Sequence, residues 1–208
     1  PPRRTGCCSV ARAGGRVADA TRQLLIAPDA DRRAAALVAD AVRVAVDRSG
    51  SARLAIAGGS AAAAVGQARE LLGDTWSRVR LTWVDERCVP FDDPDSNRGT
   101  AYRRGYLSAQ APPLSEVPLW CDGDDGPQAL ERVAAAWDGE LAGELDVVLL
   151  GMGSDGHIAS LFVGRPAHDG VVVTTNLSRP LSRIRLMVAN QVQGQKPLSC
   201  SGMFCLDR

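Results

Sequence analysis

The run Leu149-Leu150-Gly151-Met152-Gly153-Ser154-Asp155-Gly156-His157-Ile158-Ala159-Ser160-Leu161-Phe162 carries an apolar strand into a glycine-rich turn with a carboxylate and an imidazole two residues apart. Gly151, Gly153 and Gly156 let backbone N–H groups approach an anion closely. A helix expected to start near His157 adds the positive end of its dipole to the same point. A lone histidine at a helix start is usually paired with a neighbouring acid and does nothing more. Here Asp155 is spaced to fix the His157 tautomer and leave the other ring nitrogen to act as a general base. The chemistry this suits is proton transfer beside a bound phosphate.

A second set lies at Asp85-Glu86-Arg87, which ends the apolar strand Leu81-Thr82-Trp83-Val84 and precedes Pro90. Such triplets are ordinarily solvated surface charge. This one falls at the carboxyl edge of a sheet, where Arg87 can grip a phosphate through paired N–H donors. Asp93-x-Asp95-x-Asn97 begins like a calcium loop, but Arg98 stands where that loop needs glycine and Arg104 where it closes with glutamate, so calcium is rejected. Ser96 and Asn97 then read as turn formers that can also offer hydrogen bonds to sugar hydroxyls. Gly151-x-Gly153-x-x-Gly156 matches the dinucleotide fingerprint as well, which makes NAD binding a second class of function. It fails on position: the fingerprint belongs to the first strand of its unit, and the next expected strand, Val171 to Thr175, runs into Asn176 rather than an acid for the ribose. No cofactor and no metal are expected.

These residues must be positioned by regular elements. The segment 31–47 spaces Leu37, Val38, Ala41, Val42 and Ala45 at helical intervals. Arg53 to Ala57 is a short apolar strand that breaks into Gly58-Gly59-Ser60 and an alanine-rich helix to about Leu72. The same grammar returns at Val79 to Val84, followed by an acidic turn to Asn97, and at Leu145 to Leu150. Ala129 to Trp137 reads as another helix, 112–113 and 122–127 as loops, and Val171 to Thr175 and Ile184 to Ala189 as two late strands. Repeated strand, loop and helix implies an α/β fold, Rossmann-like, with a mostly parallel sheet and helices on both faces. Ligands in such sheets bind at the carboxyl ends of the strands, so the turns at 58–60, 85–97 and 151–157 are expected to converge on one crevice.

The whole chain bounds these readings. At 208 residues, 45% of them apolar, it is long enough for a full core and short enough for one domain, expected over 16–208 behind a disordered tail at 1–15. Lys and Arg total 24 and so do Asp and Glu, so the net charge is zero and neither nucleic acid nor an anionic membrane is an expected partner. Any anion must be bound locally. Six scattered cysteines without paired metal-ligand spacing point to a reduced, cytoplasmic setting. No apolar stretch approaches a membrane span and no secretory signal is legible. Position 1 is proline, so a processed, trimmed or incomplete chain is expected. A monomer or weak homo-oligomer completes the picture.

Taken together, GGS at 58–60, WVDERCVPFDDPDSN at 83–97 and LGMGSDGHIASLF at 150–162 resemble the signature blocks of the 6-phosphogluconolactonase family, within the superfamily it forms with glucosamine-6-phosphate isomerases. The resemblance covers roughly 31–189 and includes SRPLSRIRL, which is similar to the family's late arginine-bearing strand. It implies a NagB/RpiA-like sheet enzyme of the pentose phosphate pathway that hydrolyses 6-phospho-D-glucono-1,5-lactone to 6-phosphogluconate without metal or cofactor. By the same resemblance His157 activates water and Asp155 orients it. Gly58, Gly59 and Ser60, with Arg87 and Arg183, hold the phosphate end, Asp85 and Asn97 contact the sugar, and Gly153 and Gly156 are expected among the substrate- and phosphate-binding residues. Glucosamine-6-phosphate deaminases resemble DGHIAFNEP where this chain reads DGHIASLF, which places a deaminase or isomerase second.

Departures from the family pattern are also legible. The first turn reads GGSAA where the family has GGSTP, and GHIASLFV stands for GHTASLFP. After Ala189 the expected helix and last strand with its G-x-x-K are not recognisable, and Lys196 is left unassigned. A shortened C-terminus of this kind is expected to expose a sheet edge and part of the core. A third reading follows, a truncated and inactive chain that binds sugar phosphates.

Overall fold

The computed structural model describes residues 25–141, 145–154 and 156–160, together with the backbone of 173–176, 184–187 and 202–206. Helix α1 (Ala30–Ser49) buries Ala34, Ala35, Val38, Ala39, Val42 and Ala45, the i, i+3, i+4 stripe its sequence carries. It stops where Gly50 adopts φ +79° and returns its N–H to Val46 O at 2.7 Å. Strand β1 (Ala52–Ile56) follows, then α2 (Ser60–Leu72), a six-residue 3₁₀ turn (Gly73–Arg78) and β2 (Val79–Trp83). Next come β3 (Asp85–Arg87), α3 (Asn97–Arg103), β4 (Ser115–Val117), α4 (Gly126–Gly139) and β5 (Val147–Gly151). Three later strands are β6 (Val173–Asn176), β7 (Ile184–Met187) and β8 (Gly202–Leu206). Asp125 caps α4 by accepting from Gln128 N at 2.9 Å, with Pro127 in the first turn, where its missing N–H costs nothing.

The main sheet is parallel throughout, in the order β4-β2-β1-β5-β8. Its central strands are apolar on both faces because helices cover both. Leu54, Ile56, Leu81, Trp83, Val147 and Leu149 are fully buried. Helix α1 lies against α2, β1, β5 and β8. From β1 the chain steps outward to β2 and β4, then returns through α4 to β5 on the other side of β1. With right-handed crossovers this reversal puts α4 on the face opposite α2 and makes the gap between β1 and β5 the topological switch point.

Three expectations are corrected. Residues 85–97 do not form one acidic turn: Asp85, Glu86 and Arg87 form β3, which pairs antiparallel with β7 in a second sheet of order β3-β7-β6. Sequence shows only a charge triplet there, and a partner strand a hundred residues away makes it a strand. No helix begins at 157–160. Met152 bridges Ile158 instead, Gly153 N donates to His157 O at 2.8 Å and Gly156 N to Gly153 O at 2.8 Å. Gly156 at φ +82° closes this tight hairpin in the left-handed region, which helical backbone cannot use. The edge of β5 is not left open either, since β8 pairs with it in parallel from Val147–Gly202 to Gly151–Leu206. Gly202 to Leu206 is too short and isolated for sequence to mark, and the unpaired backbone of β5 gives it a place to pair. The tail expected at 1–15 and Lys196 lie outside the described residues.

Candidate active site

The carboxyl ends of β1, β2 and β5 open on a cleft of about 440 Å³. Its walls come from Ala57, Gly58 and Gly59 after β1, from Asp85, Arg87 and Asn97 around β3, and from 151–154, His157 and Ala159 after β5. The three turns singled out in the sequence therefore meet at the switch point between β1 and β5. Backbone bonds set their spacing: Ala57 N donates to Leu149 O at 3.0 Å and Val84 N to Ile56 O at 2.8 Å.

The glycines of the first turn have different reasons. At Gly58 a Cβ would lie 1.9 Å from Asn97 Oδ1, so only glycine lets the asparagine side chain cross there. Gly59 sits at φ +67° as the residue before α2, a conformation a side chain would strain. Ser60 opens α2 directly after the cleft-lining Gly58 and Gly59, and the first backbone N–H groups of that helix have no partner within it.

Asn97 is the hub of the second wall. Its Nδ2 donates to the Asp85 carbonyl at 3.0 Å and to Asp85 Oδ1 at 3.4 Å, while its Oδ1 accepts from the Arg87 guanidinium at 2.6 Å. The same Arg87 nitrogen donates to Asp95 O at 2.8 Å. Arg87 Nε is buried and has no hydrogen-bond partner among the described residues, and the arginine lines the cleft. Asp85 is 4% exposed, and its Oδ2 accepts from Ser160 Oγ at 2.7 Å.

Glu86 faces away from this cleft function. It is 2% exposed and accepts from the backbone N–H of Asn97 at 2.7 Å, of Arg98 at 2.8 Å and of Arg87 at 2.8 Å, with Ser96 Oγ at 3.4 Å. Ser96 in turn accepts from Gly99 N at 2.9 Å and caps α3. Burial pushes the Glu86 carboxyl above its ordinary range against the pull of those N–H donors, and the adjacent Asp85 charge adds to the push. Sequence reasoning gave Glu86 no role, because all its partners but the Arg87 N–H stand ten to twelve residues on. Ser160 likewise has no role legible in the sequence, because its bond to Asp85 reaches 75 residues back.

Of the residues expected in the site, Gly58, Gly59, Asp85, Arg87, Asn97, Gly153 and His157 line one cleft, and Gly156 shapes the hairpin that presents His157. Asp155 and Arg183 lie outside the described residues. Among the described residues no group of three or more His, Cys, Asp or Glu side chains is placed to hold a metal. None of the described helices is long and apolar enough to cross a membrane.

Comparison with known proteins adds the family. The 6-phosphogluconolactonase of Caulobacter vibrioides is 37% identical over 146 residues, which is 70% of this chain and 62% of that protein. The human GDH/6PGL endoplasmic bifunctional protein is 40% identical over 162 residues, 71% of this chain but 20% of that protein. This chain thus spans less than two thirds of either relative. A solved structure, a putative 6-phosphogluconolactonase from Neisseria gonorrhoeae, superposes with a TM-score of 0.66 at 30% identity, covering 85% of this chain and 78% of that one. Residues 27–189 match the family described as glucosamine-6-phosphate isomerases/6-phosphogluconolactonase, and the chain belongs to that family.

Proposed function

We propose that this chain hydrolyses 6-phospho-D-glucono-1,5-lactone to 6-phosphogluconate, as the names of its relatives suggest. The observation that carries the reading is one cleft lined by His157, Arg87 and the glycine turns after β1 and β5. A lactone is already an electrophilic ester, so hydrolysis needs a positioned water, a base and donors for the developing oxyanion, with no acyl-enzyme. Arg87, helped by the first N–H groups of α2 and by Arg183, holds the phosphate. His157 takes the proton of the attacking water as the carbonyl carbon becomes tetrahedral, and Asp155 orients the imidazole. The ring C–O bond then breaks, and its oxygen leaves as a hydroxyl on receiving a proton. Asn97 and Asp85 turn polar atoms toward the sugar.

The same reading takes residues 16–208 as one catalytic domain working in the cytosol on a small phosphorylated lactone. The test is to generate the lactone in situ and follow its hydrolysis with the wild type and His157→Ala, subtracting the spontaneous rate. Catalysis that disappears in the variant supports the proposal. A folded wild type no faster than buffer overturns it, and ammonia release from glucosamine 6-phosphate would move the chain to the deaminase branch of the family.

A further inference from the structure

The turn that carries His157 ends at Ser160, which is 2% exposed and donates its hydroxyl to Asp85 Oδ2 at 2.7 Å. A buried hydroxyl bonded to a carboxylate belongs to the stronger class of hydrogen bonds, and losing it leaves a buried acceptor unsatisfied. From Asp85 the connection continues through the Asn97 amide, at 3.0 Å to the carbonyl and 3.4 Å to Oδ1, and from Asn97 Oδ1 to Arg87 at 2.6 Å. A continuous line of side-chain bonds thus runs from the end of the histidine turn to the arginine on β3.

Between His157 and Ser160 lies Ala159, the one non-glycine among the described residues in the left-handed region, at φ 51°. An alanine there is strained, and such a conformation persists only where its surroundings hold it. Two pins hold this one. The Met152–Ile158 bridge stands on one side and the Ser160–Asp85 bond on the other. His157 sits next to the first pin and three residues before the second.

We propose that Ser160 is a positioning residue: its hydroxyl, by latching onto Asp85, keeps Ala159 in its strained conformation and thereby holds His157 in the cleft it shares with Arg87. The proposal rests on the lactonase reading for the roles of His157 and Arg87, while the latch itself is geometric. Arg87 keeps its own bonds to Asp95 and Asn97 when Ser160 loses its hydroxyl, so phosphate binding survives. The base is what moves.

The test uses the full chain with Ser160→Ala, Ala159→Gly and the two combined. Expected for Ser160→Ala is a folded protein whose kcat falls about 10- to 100-fold while KM changes less than about threefold. Glycine adopts the left-handed conformation without strain, so adding Ala159→Gly removes what displaces the turn and restores part of the lost kcat. An unchanged kcat in Ser160→Ala, or a loss that Ala159→Gly does not relieve, overturns the latch. A second readout does not depend on turnover. The chain has two histidines, so the His157 ring resonances are assignable with one variant. They should shift in Ser160→Ala and return in the double variant; resonances that stay put overturn the latch. If the wild type fails to hydrolyse the lactone, the lactonase reading falls, and the ring resonances still decide the latch.

Discussion

The two edges of the parallel sheet treat buried carboxylates in opposite ways. At the amino-terminal edge Asp146, 1% exposed, is met by two guanidiniums. Arg53 donates from its backbone N at 2.8 Å and from Nε at 2.9 Å, and Arg48 reaches in from the end of α1. Burial alone would raise the Asp146 pKa, but the Arg53 hydrogen bonds and the two positive charges outweigh it and hold the carboxyl below its ordinary range. At the carboxyl edge Glu86 is met by backbone N–H groups beside another carboxylate, and burial pushes it up. One edge neutralises its charge and ties α1, β1 and β5 together. The other leaves Asp85 and Glu86 without a paired cation, and Arg87 Nε without a partner, among the described residues. The amino-terminal edge is electrically closed, and the carboxyl edge carries the cleft.

If this division holds, each edge breaks differently. The largest effect is expected from His157→Ala, which should cost about 10²- to 10⁴-fold in catalysed lactone hydrolysis with an unchanged melting temperature, since a cleft-lining base contributes little packing. Full turnover in that variant would remove the carboxyl edge from the chemistry. Asp146→Ala should do the reverse, destabilising by about 3 kcal/mol in denaturant melts because it strands the mostly buried Arg53, while kcat stays within about twofold. A variant that lost activity without losing stability would erase the contrast between edges.

The pH dependence sharpens the same point. With its folded pKa depressed, Asp146 contributes stability that is complete above the ordinary carboxylate range of about 4 and is lost as pH falls through the lower folded value. Glu86, with a raised folded pKa, stabilises fully only below that range and loses its contribution as pH rises through the folded value. Melts of wild type and Asp146→Asn between acid and neutral pH should therefore converge at the acid end. Parallel curves would show that the Asp146 ion cluster is not the source.

Smaller effects follow at the cleft. Arg87→Ala should raise KM for the phosphorylated lactone about 10- to 100-fold and leave an unphosphorylated lactone nearly untouched. Equal losses on both would deny it a phosphate role. Gly58→Ala should cost about 1–3 kcal/mol, because its Cβ must displace the Asn97 amide, and should weaken turnover alongside stability.

Much of this was legible in the residues themselves. The stripe of α1, the strand, glycine turn and helix at 52–72 and the apolar run of β5 follow local rules, because burial on a helix face or inside a parallel sheet imposes a period or an unbroken apolar run within a few residues. The convergence of Gly58, Arg87, Asn97 and His157 on one cleft also followed, since parallel strands deliver their carboxyl ends to one edge. What was not legible depends on partners far away in the chain. The strand character of Asp85 to Arg87 comes from β7, the place of Gly202 to Leu206 from the edge of β5, and the hairpin in place of a helix at His157 from the Met152–Ile158 bridge. The Ser160–Asp85 bond spans 75 residues. Residue type and spacing determined which groups are present and at which strand ends. Their orientation was decided by long-range backbone pairing and buried hydrogen bonds, whose energy is gained only once segments distant in sequence have been brought together.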